Sequence, residues 1–300
     1  MTSSAWQAPA TPARDDLATA IEVLTRLVEG QRGGDQAYFG QQLPRYARTV
    51  ARIQALCPPP CRVLDIGSHY LHQSVLLGEL GYEVTGIDVE LFTSAAFVKE
   101  RARAFGVHNR TVNTLEAGDF LPGQEGRFEL VVFTEILEHI TFNPIRFWAR
   151  VYELMAPSGV IYLSTPNAMR PVAWLRQLLG LLSARGIGLS VAEIMGNVTY
   201  GHHWKEYSAA EIRRYFALLS SDFSVTTTTY STDFNHAAGL KALVKQLLAL
   251  VPAWRSDIEA VIRRSGRAGF AAKAPELRME RRADEPAADR TRLEPTGAAP

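Results

Sequence analysis

The sequence predicts a doubly wound α/β fold: a mostly parallel seven-stranded sheet covered by helices on both faces and interrupted by helical insertions. Three observations predict it. From residue 62 onward, short apolar runs of strand length alternate with amphipathic runs of helix length. Several strand-like runs close on an acidic residue or a glycine, as in "VLDIG" and "GIDVE". At 300 residues, 47% hydrophobic and 21% charged, the chain is soluble in character and long enough to bury a full core.

Each element has its own warrant. "DDLATAIEVLTRLVEG" reads as a helix capped by Asp15 and stopped at Gly30, with Leu17, Ile21, Leu24 and Val28 at helical period. A second helix is expected over 41–56, so that residues 1–58 form an N-terminal helical segment. The prolines of "CPPPC" end it and lead into a strand. Cys57 and Cys61 lack the two further ligands a zinc site needs, and are expected to remain reduced and inert. "CRVLDI", "YEVTGID", "RTVNTL", "FELVVF" and "GVIYLST" follow as strands, with "LHQSVLLGEL", "SAAFVKERARAF" and "PIRFWARVYELM" as helices between them. Pro144 suits the first turn of the last of these.

After "STPN" the rhythm breaks. Residues 169–200 read as inserted amphipathic helices whose face Val172, Leu175, Leu178, Leu179 and Leu182 is expected in a core. "SAAEIRRYFALL" then opens with Ser208 three residues before Glu211, the capping-box spacing, and "FSVTTTTYS" is a strand. A second insertion is expected over 236–265, with "AGFAAKAP" as the last strand. The main domain thus spans 59–275, and the charged, apolar-poor stretch 276–300 is expected to be a disordered tail.

Charge and targeting signals exclude several classes. A formal net charge of +1 with no Lys/Arg block argues against a nucleic-acid partner. The first residues have no apolar signal region, and 172–186 is too short and too interrupted to span a bilayer. A cytoplasmic protein is expected. Trp174, Arg176 and Arg185 keep open a peripheral membrane contact, or a lipid-linked substrate, through 172–185.

In a doubly wound sheet, ligands bind beyond the carboxyl ends of the strands. Asp65 and Gly67 end the first strand, and Asp88 follows Asp65 by 23 residues, close to the roughly 20-residue step at which an acid meets a ribose. Asp119 in "EAGDF" is a third acid in the series. The plain structural alternative is helix caps and surface turns.

"VLDIG", "GIDVE", "GDF", "FELVVFTEILEHI" and "APSGVIYLSTPN" resemble, in order and spacing, the motifs of class I S-adenosylmethionine-dependent methyltransferases, over about residues 60–230. The resemblance implies that Asp65, Gly67 and Ser68 approach the methionine part of S-adenosyl-L-methionine. It implies further that Asp88 and Val89 hold the ribose, that Asp119 and Phe120 flank the adenine, and that Thr134 and Glu135 lie beside the reacting methyl group. Where the family often reads D-x-G-x-G-x-G, His69 and Leu71 take the later glycine positions, so the chain must turn there with side chains in place. A nicotinamide dehydrogenase would want G-x-G-x-x-G here, and "DIGSHYL" has one glycine. "YGHHWKEYSAAEI" resembles a segment of the subgroup acting on sugars, glycolipids and secondary metabolites, with Gly201, His203, Glu206 and Tyr207 matching.

"TEILEHI" raises a separate question. On a helix, Glu135, Glu138 and His139 would share a face. With His203 they make a mixed oxygen and nitrogen set, suited to Mn²⁺, Fe²⁺ or Zn²⁺ more than to Mg²⁺. Without metal, His139 or His203 is a candidate general base, and Glu138 is a third candidate catalytic residue. The bland alternative is a helix-end charge beside a hydrogen-bonded histidine. The function expected is methyl transfer to a hydroxyl of a small molecule or glycan acceptor. The alternatives are an RNA 3'-terminal 2'-O-methyltransferase, whose Glu-x-x-Glu-His…His arrangement is similar, and a catalytically silent binding module.

Overall fold

The computed structural model describes residues 17–273 except 32, 185–186 and 232–239. The strands are β1 (Arg62–Ile66), β2 (Glu83–Asp88), β3 (His108–Thr111), β4 (Phe128–Thr134), β5 (Met155–Pro166), β6 (Phe223–Tyr230) and β7 (Asp257–Arg264). They form a seven-stranded sheet in the order β3-β2-β1-β4-β5-β7-β6, the mostly parallel sheet that the alternation predicts. Two compact groups of residues build it, one running to Thr114 and including 127–133, the other made of 115–126 and 134 onward.

In the first group, β1 runs parallel between β2 and β4, with Leu64 opposite both Thr85 and Val131. All three strands are buried almost throughout, which is why they read as unbroken apolar runs. The helices are α1 (Leu17–Gly30), α2 (Gln36–Leu56), α3 (His72–Glu79), α4 (Glu90–Thr93) and α5 (Ala96–Ala104). Helices α1 and α2 pack against α3, α1 through Ala20, Leu24 and Val28 on one face. Arg101 of α5 is fully buried and donates to Asp35 Oδ2 at 2.7 Å and to the Tyr70 carbonyl at 3.0 Å. His72 meets the same Asp35 oxygen at 2.7 Å, so one carboxylate joins the start of α2 to α3 and α5. The expected cap at Asp15 lies outside the described residues.

The second group holds α6 (Ile145–Leu154), α7 (Pro171–Leu182), α8 (Val191–Gly196), α9 (Ala209–Leu219) and α10 (Leu240–Ala249). Ser208 accepts from the Glu211 amide while Glu211 accepts from the Ser208 amide, the reciprocal cap that the spacing predicts. Strand β7 lies antiparallel between β5 and β6.

Four expectations are corrected. The second insertion is not helical to its end: residues 257–264 are strand β7, and "AGFAAKAP" supplies none within the described residues. Ala, Glu and Arg in "DIEAVIRR" favour a helix locally, but pairing on both edges decides the outcome. Gly266 and Gly269, both at positive φ, then turn the chain so that Phe270 stacks near Tyr152 and Phe223. Cys57 and Cys61 are not free thiols: the Pro58–Pro60 loop returns the chain on itself, with 6.6 Å between their Cα atoms, and they form a disulfide. The apolar face of α7 is not core, since that helix buries no residue. Finally, "TEILEHI" forms no helix; a three-residue 3-10 turn, Leu137–His139, stands there instead. The stretch 276–300, expected to be disordered, lies outside the described residues.

Candidate active site

In the first group, the carboxyl ends of β1 and β2 carry the candidate ribose and methionine residues. Gly67 turns at φ 78, and its amide and that of Ser68 both donate to the Ile87 carbonyl, at 2.9 and 3.2 Å. His69 (φ 49) and Leu71 (φ 63) also occupy the left-handed region, so two side-chain-bearing residues adopt the backbone that glycines would give. The His69 ring lies against Tyr70, Phe92 and Tyr38, with centroids 3.9, 4.1 and 4.9 Å away. Burial, then the neighbouring His72, brings its pKa down to about 4, so the ring is neutral at pH 7.

Asp88 sits half-buried at the end of β2. Its Oδ2 accepts from the His69 amide and its Oδ1 from the Val89 amide, each at 2.7 Å. Burial raises its pKa, and those two N–H groups hold it partly down. A carboxylate offers about four lone-pair sites, so two stay available for hydroxyl donors. Asp65 is placed differently. It is buried, accepts from Ser74 Oγ at 2.6 Å, and burial pushes its pKa up to about 7. Beneath the loop, a Cβ on Gly86 would meet Ser68 Oγ at 2.9 Å, a close approach that no motif announced.

In the second group, Asp119 is exposed and follows Gly118, where a Cβ would strike the Arg146 carbonyl at 2.6 Å. Phe120 is buried, its carbonyl accepting from Arg150 Nε at 2.7 Å, its ring 6.0 Å from that of Phe147. Thr134 ends β4, and Glu135 follows at φ 57, a left-handed residue that stops the chain continuing as strand or helix. The Glu135 amide donates to the Ser164 carbonyl at 2.8 Å, and Ser164 Oγ returns a bond to Glu135 Oε1 at 2.9 Å. This turns Glu135 toward β5. It is therefore not among the grouped metal-type donors, which corrects the expected four-residue ligand set.

The other three residues do converge. Glu138 is fully buried, with Oε2 accepting from Thr165 Oγ1 at 2.8 Å. Its carbonyl accepts from the Trp204 amide at 2.8 Å, and that bond brings the His203 segment onto the 3-10 turn. His139 Nε2 lies 3.9 Å from Glu138 Oε1, and the His139 and His203 rings meet edge to face at 4.9 Å. One donor atom from each of Glu138, His139 and His203 lies within 4.8 Å of the others. Burial, then His203, lowers the pKa of His139, leaving its imidazole neutral and able to accept a proton at pH 7. Glu138, His139 and His203 are the residues that could hold a divalent cation here, one carboxylate and two imidazoles.

Behind it, Glu206 pairs with Arg170 and faces His203 Nδ1 at 3.5 Å. Burial raises the Glu206 pKa, but His203 and Arg170 outweigh this and keep the group below its ordinary value. Tyr207 is buried and its carbonyl accepts from the Ala168 amide at 3.0 Å. A cavity of about 510 Å³ opens beside these groups, apolar along Trp174, Leu178, Leu181 and Ile187 and polar at His203 and Glu206. Ser164, Thr165 and Arg170 were not singled out by sequence. The position of "STPN" at a strand end was the available signal for the first two.

Comparison with known proteins gives one family match: the methyltransferase domain family, over residues 38–227. No curated protein matches the sequence. Among solved structures, the chain is similar to the 1,6-didemethyltoxoflavin-N1-methyltransferase of Burkholderia thailandensis, solved with 1,6-didemethyltoxoflavin and S-adenosylhomocysteine bound. The identity is 17%, the TM-score 0.49, and the match covers 87% of this chain and 93% of that one. A SAM-dependent methyltransferase from Thermotoga maritima shows 13% identity and a TM-score of 0.48, covering 81% of this chain and 99% of that one. Another from Archaeoglobus fulgidus shows 14% identity and a TM-score of 0.47, covering 77% and 100%.

Proposed function

The chain belongs to the methyltransferase domain family, and on that premise we propose that it moves a methyl group from S-adenosylmethionine to a hydroxyl of a small polar acceptor. The observation that carries the cofactor half is Asp88: a strand-end carboxylate with one backbone N–H on each oxygen and capacity for the two ribose hydroxyls. Val89, Gly67 and Ser68 belong to the same proposed contact. Asp119 and Phe120 are proposed for the adenine, and Thr134 and Glu135 for the methyl end. When bound there, the cofactor would supply an electrophilic sulfonium methyl group for the acceptor oxygen and would be left as S-adenosylhomocysteine.

The residues of this chain then have to position the acceptor and take its proton. His139, neutral at pH 7, accepts the hydroxyl proton. The buried Glu138 carboxylate, 3.9 Å from Nε2, stabilises the imidazolium that results. His203, fixed edge-on to His139, orients the hydroxyl from the polar end of the cavity. A sugar or secondary-metabolite hydroxyl fits this reading.

A second reading has one specific observation in its favour, the 4.8 Å grouping of Glu138, His139 and His203 donors. A divalent ion of the Mn²⁺, Fe²⁺ or Zn²⁺ type held there would lower the pKa of a bound hydroxyl. One experiment tests both readings: a hydroxyl-acceptor panel with labelled S-adenosylmethionine, run with and without chelator, on wild type and His139→Ala. Transfer that survives chelation but falls by about 10²-fold or more in His139→Ala selects the base. Transfer lost on chelation and restored by Mn²⁺ or Zn²⁺ selects the metal. No transfer to any hydroxyl, with labelled cofactor bound, overturns hydroxyl methylation.

A further inference from the structure

Among the described residues, all the exposed large hydrophobics except Leu91 and Leu218 lie in two excursions from the sheet, 168–206 and 240–256. Helix α7 shows the pattern most clearly. One side, including Trp174, Leu178 and Leu181, lines the cavity described above. The other side carries Val172, Leu175, Leu179 and Leu182 at spacings of three, four and three, exposed by 67, 57, 55 and 75%. Such a stripe normally faces a core; here it faces outward. Met195 of α8 is 82% exposed, and α10 with the turn after it leaves Leu243, Val244, Leu247 and Leu250 exposed on one helical face.

Both excursions are rooted at one residue. The Asn167 amide donates to the Ser256 carbonyl at 2.8 Å, and its Nδ2 donates to the carbonyls of Ala253 and Arg255 at 2.9 and 2.8 Å. Asn167 directly precedes the α7 excursion, and Ala253 to Ser256 end the α10 one. The two apolar segments therefore leave the sheet at the same end of β5 and β7. They also share a charge. Among the described side chains they carry four basic residues (Arg170, Arg176, Lys205 and Arg255) and two acidic ones, Glu193 and Glu206; by sequence alone, Arg185, Lys241 and Lys245 fall in the same stretches and no further acid does. The net charge of the whole chain is +1, so the remainder is net negative.

We propose that this end of the protein docks peripherally on an anionic lipid surface, with the outward stripe of α7 and the exposed face of α10 at headgroup depth. Apolar helical faces accompanied by an excess of Lys and Arg match that partner. Trp174, Trp204, Trp254 and Tyr200, all at least partly exposed, are the aromatic types enriched at membrane interfaces. The helices lie on the surface rather than across it, for α7 has 12 residues, about 18 Å of helix against a hydrocarbon core of about 30 Å. A partner helix is disfavoured because neither helix reaches two heptads. A second copy is disfavoured because a symmetric contact sets one basic excess against another.

Flotation of the full chain with phosphatidylcholine vesicles, with and without phosphatidylglycerol, tests this. The protein should float with the anionic vesicles, should float far less with the neutral ones, and should detach as salt is raised. Leu175→Glu with Leu182→Glu, and separately Leu247→Glu with Leu250→Glu, should each cut the bound fraction by about tenfold or more. Circular dichroism, melting temperature and S-adenosylhomocysteine binding should stay at wild-type values, which shows that the variants fold. No flotation with either vesicle overturns the proposal. So does flotation that both folded variants retain, or a wild-type dimer in sedimentation velocity that either variant converts to monomer.

Discussion

Asp88 and Asp65 both end a strand on an acid, yet their surroundings give them opposite tasks. Asp88 has lone pairs beyond those its two N–H donors use, so on the cofactor role proposed above Asp88→Ala is expected to weaken S-adenosylhomocysteine binding by about 1.5–3 kcal/mol, measured by calorimetry. Asp65 is buried against Ser74 with its pKa raised to about 7, so between about pH 4 and pH 7 the folded state holds a proton that the unfolded chain has released. This contribution is fully present below about pH 4 and is lost as pH rises through 7. The stability of wild type relative to Asp65→Asn should therefore fall across that window, by on the order of a few kcal/mol, and level off above it. Denaturant titrations of both proteins at several pH values check this; a constant difference would place Asp65 outside the titration. The strand-end acids were legible because their spacing is fixed by the β–α repeat. The turning of Glu135 toward Ser164 was not, since a single left-handed residue leaves no periodic trace.

At the scale of elements, apolar runs and caps were the readable signals. Ser208 and Glu211 announced the start of α9, and Ser208→Ala should cost about 1 kcal/mol, seen as a lower denaturation midpoint. Strand β7 was hidden because its local propensities favour a helix, while its pairing partners lie dozens of residues away. Gly86 was hidden for a related reason: its close approach to Ser68 exists only once β2 and the loop after β1 are side by side. Gly86→Ala should destabilise the fold by about 1–3 kcal/mol and weaken cofactor binding with it, a pairing of effects that calorimetry and thermal melts can separate. A melting temperature unchanged from wild type would show that the loop yields.

At the scale of the whole molecule, the described residues tie distant stretches of chain through a few polar centres. Asp35 is the clearest. Burial pushes its pKa up, but Arg101 and His72 outweigh that and hold it below the ordinary carboxylate value. Asp35→Ala strands a buried guanidinium and should cost about 3–5 kcal/mol in chemical denaturation. It should also loosen the loop holding His69 and Tyr70, whose carbonyl accepts from the same arginine. Nothing in the sequence marked Asp35, because a lone acid before a helix reads as a cap.

The place of β7 has a consequence for how the chain is made. The last of the described strands in sequence sits between two earlier ones, so during synthesis β5 and β6 emerge with facing edges that nothing yet fills. Open edges of that kind pair with whatever strand is at hand, including another nascent chain. That exposure ends only when residues 257–264 are free to insert between the two edges.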